Sequence, residues 1–298
     1  MSLIIEPFRT DFMLQALAGG VLVAAICGVV GTWVVIRGMA FLGEAIGHGM
    51  LPGVALATVL GAPVLLGGAA SAIVMSATIG ALQRRGRLTY DTSIGLLFVA
   101  MLSLGVIIIS HSRSFATDAT AMLFGDVLAL GPDDLAVLTV ALAVTLAIAV
   151  AFHRAFVASA FDPRIARTLG LHPQLAQVML VGLVTLAVVA SYQAVGSLLV
   201  IALLLAPAVA AGRWTTRIPT TMACAAVIGA VAVLVGLIAS WYAGTAAGAS
   251  IACAAILTAV VSGLLRSGLD LLRRLAPTSE RNPCTAGHSP ASSAPSQG

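Results

Sequence analysis

Long apolar runs, separated by short polar or glycine- and proline-bearing breaks, set the pattern of this chain. A helix needs roughly 17–25 apolar residues to cross a hydrocarbon core about 30 Å thick. Runs of that kind occupy residues 12–36, 37–60, 64–82, 92–110, 135–152, 175–190, 195–211, 218–240 and 249–265. The pattern predicts an all-α fold, a polytopic membrane helical bundle of about nine transmembrane helices. Eight spans stay open as an alternative. The runs 175–190 and 195–211 are short and are separated only by Ser191, Tyr192 and Gln193, and Pro207 marks the expected break in a helix there. Residues 111–134 form a long connection, within which MLFGDVLAL at 122–130 is apolar enough to dip into the membrane or cap a cavity.

Composition agrees with this pattern. Hydrophobic residues make up 60% of the 298 and charged ones only 9%, whereas an ordinary soluble domain carries about a quarter charged residues. Residues 1–272 read as the transmembrane domain. Residues 273–298 read as a disordered cytoplasmic tail that ends in small, polar and proline-bearing residues. The first residues, MSLIIEPFRTDFM, lack the basic start and small-residue cleavage site of a signal peptide. Cys27, Cys224 and Cys253 fall in apolar spans and Cys284 in the tail, without CxxC spacing, so no disulfide framework is expected.

All fifteen basic residues are arginine. A P-loop needs a lysine to hold the β- and γ-phosphates, so this chain is no P-loop ATPase by itself, and any ATP-derived energy must come from a partner. With nine spans, thirteen arginines gather on one side and only Arg9 and Arg113 on the other. The positive-inside rule makes the rich side cytoplasmic. The N-terminus is then outside and the C-terminus on the cytoplasmic side of the membrane.

The stretch RGMAFLGEAIGHGMLPG, residues 37–53, places Glu44 and His48 inside an apolar span. Residues four apart on a helix share a face, so both side chains can reach one ligand. A carboxylate oxygen and an imidazole nitrogen together suit a divalent transition ion. A charge at the centre of a membrane helix costs about 2.5–3.5 kcal/mol even on a lenient insertion scale, which makes the pair a functional-site hypothesis by default. The structural alternative is a carboxylate paired with an arginine and a histidine that makes a helix contact. Between residues 160 and 173 lies a second informative stretch. Asp162 suits a helix N-cap, Pro163 the first helical position, and Gly170 with Pro173 a stop. This predicts about two turns of helix, with Arg164 and Arg167 exposed and Ile165 and Leu169 on one side. Such a helix either presents a surface to a soluble partner or holds a loop on the membrane.

These residues resemble a known family, the membrane permease subunits of bacterial ABC importers for zinc, manganese and iron. RGMAFLGEAIGHGMLPGVALA is similar to that family's hallmark second span. YDTSIGLLFVAMLSLGVIIIS, LFGDVLAL, AFDPRIARTLGL and QAVGSLLVIALLLAPAVAAG resemble further family segments in the family's order, over about residues 5–272. The resemblance implies a type II ABC importer-like permease that moves a divalent metal ion (Mn2+ or Zn2+, with iron as a third choice), has no permanently bound cofactor and is not itself an enzyme. It implies a second permease copy, two cytoplasmic ATPase subunits and an extracytoplasmic metal-binding solute-binding protein as partners, and no nucleic acid. The metal positions carry over to Glu44 and His48. The ATPase-coupling segment carries over to Asp162, Pro163, Arg164, Ile165, Ala166, Arg167, Leu169 and Gly170. Where the family usually has aspartate this chain has Glu44, one methylene longer. A proton-coupled or passive metal transporter is the competing class. An intramembrane metalloenzyme is disfavoured, because the motif is ExxxH and not the HExxH that supplies two histidine ligands and a base.

Overall fold

The computed structural model describes residues 10–84, 89–110, 127–168 and 170–275. Those residues form α1 (Asp11–Ile36), α2 (Ala40–Gly49), α3 (Leu51–Leu60), α4 (Val64–Arg84), α5 (Tyr90–Ser110), a single 3-10 turn (Val127–Ala129), α6 (Pro132–Ala151), α7 (His153–Phe161), α8 (Pro163–Thr168), α9 (Pro173–Gly212), α10 (Ile218–Ala243) and α11 (Ala247–Leu275). Among the described residues nine segments are long and apolar enough to cross a membrane. All-helical architecture is what lipid demands, since a helix satisfies its backbone groups within the segment.

The core forms around α1. Its 26 residues rise about 39 Å at 1.5 Å each, enough to span the bilayer. Val23, Ile26, Cys27, Val30 and Trp33 are fully enclosed, because α6, α9 and α10 all pack on this helix. The approach is closest at two glycines. A Cβ on Gly31 would fall on the Leu204 carbonyl oxygen, and one on Gly28 would sit 2.6 Å from the Ala226 nitrogen. Between membrane helices there is no hydrophobic driving force, so small residues that let backbones meet supply the packing energy.

Helix α9 is a hairpin. Its 40 residues would measure about 60 Å if straight, twice the core thickness. Both of its ends instead lie at the C-terminal end of α1. Gln177 accepts a hydrogen bond from Arg37 Nη1 at 3.2 Å, and Ala208 and Ala211 pack with Val35. The reversal falls at Gly196, with φ 70° and ψ 169°, a region essentially confined to glycine. Pro207, the expected break, lies inside the second arm of the hairpin, so that expectation is corrected. Ser191, Tyr192 and Gln193, read as a separator, belong to helix as well. Nine spans among the described residues follow because one turning residue suffices to join two of them.

Other boundaries also shift. Arg37 and Gly38 form a turn, with Gly38 at φ 65°, so the second span begins at Ala40. The sixth helix begins at Pro132, where the Asp134 carboxylate accepts a 3.0 Å bond from the Gly131 N–H. Pro173, expected as a stop, opens α9 at a position where its missing N–H costs nothing. Helix α11 continues to Leu275, ten residues past the apolar run that predicted it. Most of the 122–130 segment lies outside the described residues, though Leu130 packs on Gly19 of α1. Aromatic side chains mark the two ends of the bundle. Phe12 meets Trp241 at 6.3 Å on one side, and Arg266 lies over Trp214 at 5.7 Å on the other, as expected of interfacial anchors.

Gly31→Ala should lower stability by about 1–3 kcal/mol, the usual range for overpacking, because Leu204 backbone and not a mobile side chain blocks the new methyl. Gly95→Ala on α5, where nothing lies within 4 Å of the added atom, should leave the thermal unfolding midpoint in detergent unchanged. Equal midpoints for both variants would contradict the close α1–α9 contact.

Candidate functional site

Helices α2 and α3 make up one span, jointed at Met50. Pro52 cannot donate to the His48 carbonyl, which loosens the helix at that turn. The neighbouring Gly49 carbonyl is taken by the Ser71 hydroxyl of α4 at 2.7 Å. The Met50 N–H still bonds Ile46 O at 3.1 Å and the Val54 N–H bonds Met50 O at 3.0 Å, so the axis continues through the joint. Glu44 and His48 therefore sit one turn apart just before the joint at Met50.

Between Leu42 and Met50 only these two side chains are accessible, and both are half-buried. The intervening residues, Leu42, Ala45 and Ile46 among them, are fully enclosed. Phe41 is exposed and Leu51 half-buried, so the open stripe runs 41, 44, 48, 51. Steps of three and four define one helix face. Phe98 of α5 lies along that face, its ring 5.6 Å from Phe41 and 5.5 Å from His48, both edge-on. On the opposite side a Cβ at Gly47 would stand 3.6 Å from Ser197 Cβ and 3.9 Å from Val188 Cγ1. The hairpin tip of α9 thus backs the helix that carries Glu44 and His48.

Among the described residues no group of three or more histidine, cysteine, aspartate or glutamate side chains comes together. One chain offers a carboxylate and an imidazole, which is two ligands where tetrahedral sites use four. Phe98 and Ser71 were not singled out from the sequence. Each acts through a partner more than twenty residues away, and nothing local marks it.

The second candidate segment folds as expected at its start. Asp162 Oδ1 accepts the Arg164 N–H at 2.7 Å, which is an N-cap bond to the second helical residue. Pro163 opens the helix, Arg164 and Arg167 are exposed and Ala166 is buried. Gly170, at φ 72°, ends it. The helix has six residues, fewer than the two turns expected. Ile165 is helical, and Leu169 lies outside the described residues. Helix α8 rests against α7 and the start of α9, so the chain passes from it into the first arm of the hairpin.

Residues 9–266 match the model of the ABC 3 transport family. The manganese transport system membrane protein MntC of Halalkalibacterium halodurans is 37% identical over 242 residues, 81% of this chain and 82% of that protein. A probable iron transport system membrane protein of Haemophilus influenzae is 31% identical over 248 residues, 83% of this chain and 91% of the relative. Among solved structures, PsaBC from Streptococcus pneumoniae in complex with Fab superimposes with a TM-score of 0.79 at 28% identity, covering 90% of this chain and 98% of the other.

If the open stripe is wetted, cysteines placed at Phe41, Glu44, His48 and Leu51 should react with a small water-borne thiol reagent, since thiolate forms only in water. Cysteines at Leu42, Ala45 and Ile46 should stay unreactive. The background for this scan replaces all four native cysteines. Reaction at the buried set, or none at the stripe, would place the pair on the wrong face.

Proposed function

The chain belongs to the ABC 3 transport family, and on that premise we propose that it is the permease of an ABC importer carrying a divalent transition-metal ion, manganese or iron ahead of zinc, into the cytoplasm. One observation carries this reading: the only accessible positions in the span from Leu42 to Met50 are a carboxylate and an imidazole one turn apart. Relatives named for manganese and iron transport support the choice of ion. Carboxylate suits manganese and imidazole suits iron and zinc, and selectivity among these ions comes from geometry and availability more than from intrinsic affinity.

A metal ion passing this pair exchanges hydration water for Glu44 oxygen and His48 nitrogen. Two ligands hold it loosely, which serves transit but discriminates poorly. A second copy of the permease that presents the same stripe would bring the count to four, two from each chain, and the ion would cross between them. The longer reach of Glu44, compared with aspartate, lets its carboxylate meet an ion held farther from the helix axis.

Energy comes from a separate ATPase, since the chain has no lysine for a P-loop. We place its docking at α8, the capped helix on the arginine-rich side, with Arg164 and Arg167 as the charged face. That side is then cytoplasmic, with the N-terminus outside and an extracytoplasmic solute-binding protein delivering the ion to the opposite face. The protein's own task is transport in the cell membrane and involves no covalent chemistry.

Glu44→Ala and His48→Ala should each reduce metal uptake by more than about 100-fold, beyond the 10–100-fold typical of losing a supporting group around a metal. Co-purification with the ATPase should be unchanged. Glu44→Asp should retain uptake with an altered preference in competition between manganese, iron and zinc. Normal accumulation by either alanine variant would remove the ligand assignment.

Docking is tested separately. Arg164→Glu combined with Ile165→Asp should abolish ATPase co-purification in detergent and metal-dependent ATP turnover in liposomes, while the permease still elutes as a folded species. A double variant that binds its ATPase and transports normally would return α8 to the role of a loop anchor.

A further inference from the structure

A cavity of about 1170 Å³ opens between the C-terminal half of α4 and the first arm of α9. No residue that lines it belongs to the open stripe of α2. Its volume exceeds the roughly 300–1,000 Å³ that holds a drug-sized molecule. One end is polar and basic, with Arg37, Arg167, Gln83 and Ser159 in the wall. The other end is apolar, with Ile73, Val181, Leu186 and Val189. Among the described residues no aspartate or glutamate lines it, and both of its charged residues are arginine.

We propose that this cavity holds one anionic phospholipid of the arginine-rich leaflet, with its phosphate at Arg37 and Arg167 and its acyl chains along the apolar wall. Depth supports the choice of occupant. From Gln83 to Ile73 along α4 is about 15 Å, and from Gln177 to Val189 along α9 about 18 Å, close to half of the 30 Å hydrocarbon core. The cavity is as deep as one leaflet and has its cations where that leaflet keeps its headgroups. It also opens sideways, for Ile73 is 61% and Val178 44% exposed, so an acyl chain enters from the bilayer without crossing protein.

The polar end has donors to spare. Ser159 is 4% exposed, and its hydroxyl has no hydrogen-bond partner; neither has the Gln83 side-chain nitrogen. The Arg37 guanidinium is held in place by Gln177, and Gln177 in turn donates to the Met39 sulfur at 3.6 Å. A phosphate diester offers acceptors without protons, the complement of this set. Basic pockets between transmembrane helices on the cytoplasmic side bind anionic headgroups for the same reason.

The test is native mass spectrometry of the full-length permease in mild detergent, titrated in separate arms with phosphatidylglycerol, phosphatidylcholine and inorganic phosphate. One phosphatidylglycerol per permease copy should be retained in preference to phosphatidylcholine. Arg37→Gln and Arg167→Gln should each weaken that preference about fivefold, the usual effect of one arginine near a lipid headgroup. Arg167 is exposed on α8, so its variant does not depend on the packing of the core, and lipid retention by the permease without its ATPase is read independently of the docking proposed for α8. Gly182→Trp should expel both lipids, because Gly182 lines the cavity and nothing stands within 4 Å of an added Cβ. Equal retention of the two lipids would overturn the headgroup assignment. Complete displacement by inorganic phosphate would show that the apolar wall contributes nothing, and undiminished binding by Gly182→Trp would place the lipid elsewhere.

Discussion

Everything in this molecule depends on how closely the second arm of α9 and helix α10 can approach α1. Lipid tails are as apolar as leucine, so burying side chains gains little in a membrane, and contact between backbones has to supply the cohesion. Gly31 admits the Leu204 backbone and Gly28 the Ala226 backbone, which lets α1 be enclosed on every side from Ile26 to Val34. The Thr32 hydroxyl satisfies itself on the Gly28 carbonyl at 2.7 Å, so even the polar side chain at this crossing asks nothing of its neighbours. Helices α4, α5 and α6 pack outside this centre with most of their surface open, free to meet lipid or other protein.

A filled centre decides where charge can go. An ionised side chain inside the hydrocarbon core is tolerated only against a cavity or a partner. Along α2 the packed faces are taken by Leu42, Ala45 and Ile46, and the remaining stripe carries Glu44 and His48. Phe98 adds an apolar wall against the imidazole. It limits how His48 can turn without offering a competing ligand. Among the described residues no third histidine, cysteine, aspartate or glutamate joins this pair.

How much of this could be read from the sequence depends on whether the signal was local. The spans were legible because the length of an apolar run is set by the bilayer, and the Glu44–His48 pair because a spacing of four needs no tertiary information. The Asp162 cap was legible for the same reason, since its bond reaches only to Arg164. The separation of the two arms, expected at Ser191–Gln193, falls three residues later at Gly196, and the break expected at Pro207 does not occur because membrane helices accommodate proline. The actual turn uses one glycine out of 30, and nothing beside Gly196 sets it apart. Phe98, Ser71 and the α4–α9 cavity depend on which helices become neighbours, which run lengths do not specify.

The hairpin also connects α8, the proposed docking helix, to the proposed Glu44–His48 site. Helix α8 ends at Thr168, and five residues later the first arm of α9 begins. From Pro173 to the turn at Gly196 that arm is helical without a break, about 35 Å at 1.5 Å per residue. Along its length Thr185 shares a 2.7 Å hydrogen bond with Ser76 of α4, and at Val188 it reaches Gly47, the residue before His48. Packed helices transmit a push as small rigid shifts, because close-packed interfaces switch between arrangements and do not deform smoothly. A tilt imposed at Arg164 and Arg167 would therefore arrive at Gly47 as a displacement of α2, with the Met50 joint giving way first since Pro52 has already removed a backbone bond there. Glu44 and His48 would move against Phe98, and the open stripe would widen or close without any change in the α1 core.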